Sequence, residues 1–400
     1  MALVLLGILL SAACGGTLEV GVEPTTGMGA VRTATPAPSA HASSTPASVQ
    51  TAQTSGLLCL NTDDGTLALW SAHGEPSAAL GRLPEDAAHL TLGPRHLAYV
   101  TASCIEVLSL SNGATRSLVD LPASRLDLAL RWSFDGSALA YAVAWDAPDG
   151  SRVVELSVSD GYEYRLVDRA IARLSSPESD ESFARLWPLG FDRVAGRLTV
   201  IPVGGEERFT WVRIHHTRTG ERVRTVSIPL GLGLPANAEV HEVALAPDGA
   251  RLAVAYWIPM GEGRAEAAVS ILDLDVGSGL AGAALPPETH AASLHWSPDG
   301  TELAYLVRAG RVSGLAITPS VGLRLLDAAT GDERRLRLTV SPEAALHGWT
   351  ADGAAVVLEA LDGIERRLTV SLVDADGGDT TAIPIPPGIR PIGWVGPLPD

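Results

Sequence analysis

One phrase returns along most of this chain, and it limits what the chain can fold into. It is clearest as Trp296-Ser297-Pro298-Asp299-Gly300-Thr301-Glu302-Leu303-Ala304-Tyr305, and nearly as clear as Trp132-Ser133-Phe134-Asp135-Gly136-Ser137-Ala138-Leu139-Ala140-Tyr141. Further copies begin at Ala246-Pro247-Asp248-Gly249 and at Trp349-Thr350-Ala351-Asp352-Gly353, with degenerate ones at Gly93-Pro94-Arg95-His96-Leu97 and from Phe191 to Leu198. The leucine or valine of each copy falls at 97, 139, 198, 252, 303 and 356. A unit repeated at such spacing cannot bury its own apolar faces and must stack on its neighbours. The spacing suits four short strands joined by turns, which is one blade of a β-propeller.

Each part of the phrase has a physical reason. Pro298 pre-sets φ for the first central turn position, Asp299 can bond the local backbone, and Gly300 takes the site where φ is positive. The phrase is therefore a hairpin turn and not a catalytic loop. Before it, Leu126, Leu128, Leu130 and Trp132 alternate onto one face of a strand. After it, Leu303-Ala304-Tyr305-Leu306-Val307 is continuously apolar, as expected of a strand covered on both faces. A third strand follows at Leu323–Asp327 with its own turn, and a fourth alternates through Leu336, Leu338 and Val340.

Read in this order, repeats open near 88, 126, 185, 241, 292 and 345. Two remnants are left over. Residues 56–86 supply three strands without an opening one, and 390–396 supply an opening strand with nothing after it. Pairing them closes a ring and removes the sheet edge that would invite aggregation. The fold expected is all-β: a propeller of seven four-stranded blades over 56–400, its first blade completed by the C-terminal strand. Six blades remain open as a count, because the copy at 187–230 is degenerate. The 41 glycines and 27 prolines agree with many short strands and turns.

The phrase resembles the TolB-like, WD-repeat-like propeller repeats of bacterial periplasmic and surface proteins, whose signature is close to W-S-P-D-G-x-x-L-A-Y. The resemblance covers roughly 56–396. It implies the fold and, since TolB-like domains bind other envelope proteins, a binding role. Propellers host scaffolds and enzymes alike, so it names no activity.

The residues before 56 read differently. Residues 2–13 are an apolar run with small residues at Ser11, Ala12 and Ala13, followed by Cys14. A dozen residues is short for a stable span but fits the core of a signal peptide. This resembles a bacterial lipobox, although Ser11 stands where that motif usually has leucine. The resemblance implies that 1–13 are removed and that the Cys14 thiol carries lipid. Residues 14–55, with Thr33-Ala34-Thr35-Pro36-Ala37-Pro38 and Ser43-Ser44-Thr45-Pro46, are expected to form a disordered tether, because small polar residues and proline bury too little to offset chain entropy. The expected location is the outer face of the cell membrane, reached through the lipid alone. No run of 18 apolar residues occurs.

The formal net charge is −17, and all 29 basic residues are arginine. That argues against nucleic acid as a partner. An envelope protein or a small ligand is the partner expected, and the chain is expected to be a monomer. No cofactor or metal is called for: G-x-S-x-G, P-loop and dinucleotide fingerprints do not occur. His241-Glu242 opens like a zinc-protease motif, but Leu245 stands where the second histidine must be. His215-His216 are adjacent on a strand and point to opposite faces. Asp374-Ala375-Asp376-Gly377-Gly378-Asp379 reads as a solvated turn, and Glu178, Asp180 and Glu181 as a solvated loop. Cys59 and Cys104 flank equivalent turns of successive repeats, so a disulfide between them is geometrically possible in an exported protein. The alternative is two separate buried thiols.

Trp132, Trp296, Trp349 and Trp394 recur at one place in the repeat, which points to packing between blades. Trp145, Trp211 and Trp257 are less regular and better suited to a face or channel contact. Two functions are thus expected in order: a non-catalytic binding scaffold, or else a propeller enzyme of lyase or lactonase type. The enzyme would draw on Asp127, His241, Glu242, His295 and His347, which lie near opening strands around the central channel.

Overall fold

The computed structural model describes residues 55–396, apart from 149–150, 160–163, 174–184, 204–209, 262–263, 310–321, 337, 339–340, 342–343 and 362–367. Cys14, the tether, the acidic loop at 178–181 and Val340 lie outside the described residues.

Seven antiparallel four-stranded sheets form a ring. Blade 2 comprises Ala88–Leu92, His96–Val100, Cys104–Ser109 and Thr115–Asp120. Blades 3 to 7 open with Arg125–Trp132, Arg185–Asp192, Glu239–Leu245, Thr289–Trp296 and Ala345–Trp349, respectively. Blade 1 is assembled from both ends: Ile389–Val395 pairs along Gly56–Asn61, followed by Thr66–Trp70 and Pro76–Arg82. The count is therefore seven, and the degenerate repeat is a full blade. Only one short helix, Ile228–Gly231, interrupts the described strands.

Seven apolar clusters fill the seven junctions between neighbouring blades. Strand alternation decides which side chain enters which junction. In blade 1, Leu58 faces blade 2, with Leu97, Tyr99 and Leu108. Leu57 and Cys59 face blade 7, with Val357 and Val370. In blade 3, Leu139, Tyr141 and Val143 face blade 2, while Ala138, Ala140, Ala142 and Ala144 face blade 4.

The turns follow the expected chemistry. The Asp299 carboxylate accepts from the Ser297 hydroxyl at 2.7 Å and the Thr301 amide at 3.0 Å, and Gly300 has φ 71°. Those bonds hold the Asp299 carboxyl below its ordinary range. Asp374 caps its own turn by accepting from the Asp376 and Gly377 amides. Asp273 and Asp327 do the same in blades 5 and 6.

The recurring tryptophans tie blade to blade. The indole N–H of Trp132 donates to the Thr91 carbonyl (3.0 Å), that of Trp296 to Ala244 (2.9 Å) and that of Trp349 to His295 (2.9 Å). Each bond reaches the preceding blade's opening strand. Trp296→Phe removes one such bond and is expected to cost about 1–2 kcal/mol, read as a lower urea midpoint with unchanged slope.

One expectation about the opening strands needs correction. Leu126 does not share the buried face of Leu128 and Trp132; it is 50% exposed. The cause is a β-bulge between Arg125 and Asp127. The same break in register against the second strand occurs in every blade: between Ala88 and Thr91, Pro188 and Gly190, Val240 and Glu242, Ala292 and His295, Leu346 and Gly348, and Pro391 and Gly393.

Candidate functional site

The opening strands of successive blades pack side by side. Beyond the bulges their side chains are re-aimed, and they enclose a cavity of about 790 Å³ at the end where these strands hand over to the Asp-Gly turns. Blades 1, 2, 3, 6 and 7 contribute to its wall.

The register defines one equivalent position in all seven blades, the residue just before the one paired with the repeat's leucine or valine, which in blade 1 is Leu57. Around the ring it holds Gly393, Thr91, Arg131, Gly190, Ala244, His295 and Gly348. Five are small, and only Arg131 and His295 are long and polar. Those two come from blades 3 and 6, on opposite arcs of the ring, and interact electrostatically.

Arg131 Nε donates to the Leu189 carbonyl at 2.8 Å, in the bulge of blade 4. Its two terminal nitrogens make no hydrogen bond among the described residues. The Arg131 side chain is exposed to water in the cavity, and the surrounding protein lowers its guanidinium pKa by desolvation. His295 is pushed down to about 4 by burial first and by the Arg131 charge second, so its imidazole is neutral at physiological pH. His347, at the bulge of blade 7, bonds through Nε2 to the Glu359 carboxylate at 2.5 Å. Leu90, Leu92, Ile392 and Trp394 supply apolar wall. Asp135 lies on the rim, its carboxylate committed to the hydroxyls of Ser133 and Ser137.

The remaining candidates do not join this cavity. Glu242 clamps the bulge of blade 6, accepting from the amides of Ser293 (2.9 Å) and Leu294 (2.8 Å), where Ser293 sits at φ 58°. His241 bonds through Nε2 to the Ala291 carbonyl at 2.8 Å and stacks on Trp257 at 4.8 Å. Burial lowers its pKa. Trp257 also donates to Glu239 and is not part of the cavity wall. Asp127 lies near the start of its strand, just past the bulge. His215 is buried, whereas His216 points into its turn and accepts from the Arg218 and Thr219 amides. Trp145 packs in the junction of blades 2 and 3, and Trp211 is 41% exposed.

Cys59 and Cys104 are both free, buried thiols. Alternation sets them apart: Cys59 faces blade 7, while Cys104 lies in blade 2 against the Thr101 hydroxyl (3.2 Å) and beside Glu106. Burial pushes the Cys59 thiol up to about 12. Unreduced protein is expected to yield two alkylatable thiols at these positions after denaturation and essentially no Cys59 labelling while folded; mass spectrometry reads both.

Arg131 escaped the sequence reading. Its signal was its place immediately before Trp132, equivalent to His295 before Trp296.

No protein-family model matches the chain, and no curated protein does. Among solved structures, the chain is similar to an oligogalacturonate lyase in complex with manganese, at 12% identity over 78% of this chain and 87% of that one, with a TM-score of 0.51. It is also similar to the β-propeller domain of the Trilobed protease from Pyrococcus furiosus, at 10% identity over 65% of this chain and 70% of that one, with a TM-score of 0.39. At such identities the likeness to the lyase is one of fold: this chain is a seven-bladed β-propeller.

Proposed function

We propose that the chain is an exported, lipid-anchored propeller that acts without catalysis, binding a small ligand or an envelope protein at the mouth of its channel. The observation that carries the binding site is the cavity itself. Its volume lies in the range of small-molecule sites, and its largely polar wall brings together Arg131, His295 and His347 beside Leu90, Leu92, Ile392 and Trp394. The non-catalytic reading is supported by how the catalytic candidates are used. Glu242 and His241 serve as ties between blades, and Glu359 engages His347. The anchor is supported by the apolar run 2–13 before Cys14 and by the tether composition.

The competing reading is an enzyme of lyase or lactonase type, favoured by His295 and His347 sharing one cavity. One of the similar structures is an oligogalacturonate lyase, which adds fold-level analogy only. Two measurements test the proposal. Cys14→Ser should abolish incorporation of a labelled fatty acid and release the protein from membranes. The full chain should turn over neither oligogalacturonate nor a lactone panel. Turnover lost in the double variant His295→Gln/His347→Gln would establish the enzyme instead.

A further inference from the structure

We infer that the channel cavity takes a small hydrophilic anion carrying two negative charges, a phosphate group or a dicarboxylate, bound between Arg95 and Arg131. This deepens the binding reading above and rests on it.

Both arginines belong to one wall. Arg131 comes from the opening strand of blade 3 and Arg95 from the first turn of blade 2, and both are exposed residues of the same cavity of about 790 Å³. Neither has a carboxylate partner among the described residues. Arg131 is tied to protein only through Nε, to the Leu189 carbonyl at 2.8 Å, which leaves Nη1 and Nη2 to the cavity. The Arg95 side chain makes no hydrogen bond or ion pair among the described residues. Guanidinium groups present planar forks of N–H donors, and such forks match the paired oxygens of carboxylates and phosphates.

Charge balance then selects the class. The chain carries 46 acidic side chains, yet none stands opposite these two arginines. Asp135 is the one carboxylate of the wall; it accepts from the hydroxyls of Ser133 and Ser137, and Arg193 stands beside it. Glu359 behind the wall is engaged by His347. The turn aspartates Asp299 and Asp352, at the same end of the ring, are bonded within their own turns and are not part of the wall. Two positive charges of the wall therefore lack a counter-ion. One negative charge would answer only one of them, whereas two on a single small ligand answer both. His295 senses the same excess: after burial, the charge of Arg131 and then that of His347 lower its pKa. Its neutral imidazole offers a polar contact without adding charge. The wall is more polar than apolar, which suits a hydrophilic body.

The test is calorimetry on the full chain at mildly alkaline pH, where phosphate is a dianion, with malonate, inorganic phosphate, acetate and glucose as probes. Malonate and phosphate should bind saturably at millimolar concentration or below. Each should bind about tenfold more tightly than acetate, since the second charge adds a charge-assisted contact. Arg95→Gln and Arg131→Gln should each weaken malonate by about threefold or more, as expected for water-exposed pairs. Malonate bound no more tightly than acetate would overturn the two-charge class. Malonate binding unchanged in Arg95→Gln would place the anion elsewhere and overturn the site. Absence of saturable binding by both dianions would overturn the class too; glucose bound in their stead would keep the binding reading while the anion falls. The comparison of malonate with acetate uses the unaltered chain, so it stands even if Arg131→Gln fails to fold. If a dianion binds and is converted, as read by NMR, the non-catalytic reading falls and the dianion class survives.

Discussion

Glu333→Ala is expected to destabilise the propeller by about 3–5 kcal/mol, the largest effect of any single substitution proposed. The Glu333 carboxylate accepts two bonds from Arg324 Nη1, at 2.7 and 2.6 Å, and one from the Tyr305 hydroxyl. Arg324 is 6% exposed and Tyr305 fully buried. Removing the carboxylate strands a buried guanidinium and a buried hydroxyl together, and neither can turn to water. Burial and the Glu333 bond already raise the tyrosine pKa, so the hydroxyl stays a donor and needs an acceptor. The double variant Arg324→Met/Glu333→Leu should recover most of the loss, because a packed apolar pair needs no partner. Urea unfolding of the three proteins reads the series. A double variant as unstable as the single one would place the cost in packing and not in the stranded charge.

Deleting residues 389–400 is expected to abolish cooperative folding. The strand Ile389–Val395 pairs along the whole of Gly56–Asn61. It also serves two junctions at once: Val395 and Ile392 pack toward blade 2, and Trp394 and Ile389 toward blade 7. Each buried large side chain contributes about 1.5–3 kcal/mol. Val395 is fully buried and Ile389, Ile392 and Trp394 are partly so, and together they supply a large share of the stability of a typical domain, about 5–15 kcal/mol. The truncated chain would also expose Gly56–Asn61 as an unpaired edge, which promotes association. Size-exclusion chromatography should show aggregates, and thermal scans no sharp transition. A synthetic peptide of residues 387–396 added during refolding should restore part of the monomer. A sharp transition in the truncated chain would show that the ring does not depend on this closure.

Much of the architecture was legible because the repeat writes its own punctuation. Pro298-Asp299-Gly300 fixes a turn by local chemistry, and the apolar run from Leu303 to Val307 can only be a strand covered on both sides. The closure was readable from what was missing: three strands at one end and one at the other. The bulges were not readable. A bulge arises where an opening strand bends around the ring against a straighter neighbour, and no residue type marks it in common: Leu126, Leu189, His241, His347 and Ile392 all occupy such breaks. That hid the site, because a one-residue slip changes which side chains face the channel. His295 and His347 were singled out and do share the cavity. Asp127, His241 and Glu242 looked equally placed, yet they lie near the other ends of their strands and are not part of its wall. Arg131 was passed over because only the alternating Leu126, Leu128, Leu130 and Trp132 were read on its strand, and its place as the counterpart of His295 was not. The pairing left open for Cys59 and Cys104 turned on the same parity, since equivalent turns do not guarantee that two residues face each other.

The first blade has a consequence for how such a chain is made. A ribosome delivers residues 56–61 more than three hundred positions before the segment that completes their sheet. Until then the nascent polypeptide holds an unfinished partner for its own tail, and no arrangement of the intervening six sheets can satisfy it. Closure of the first blade must wait until Ile389–Val395 has emerged, so the ring stays open while the six intervening sheets are being made.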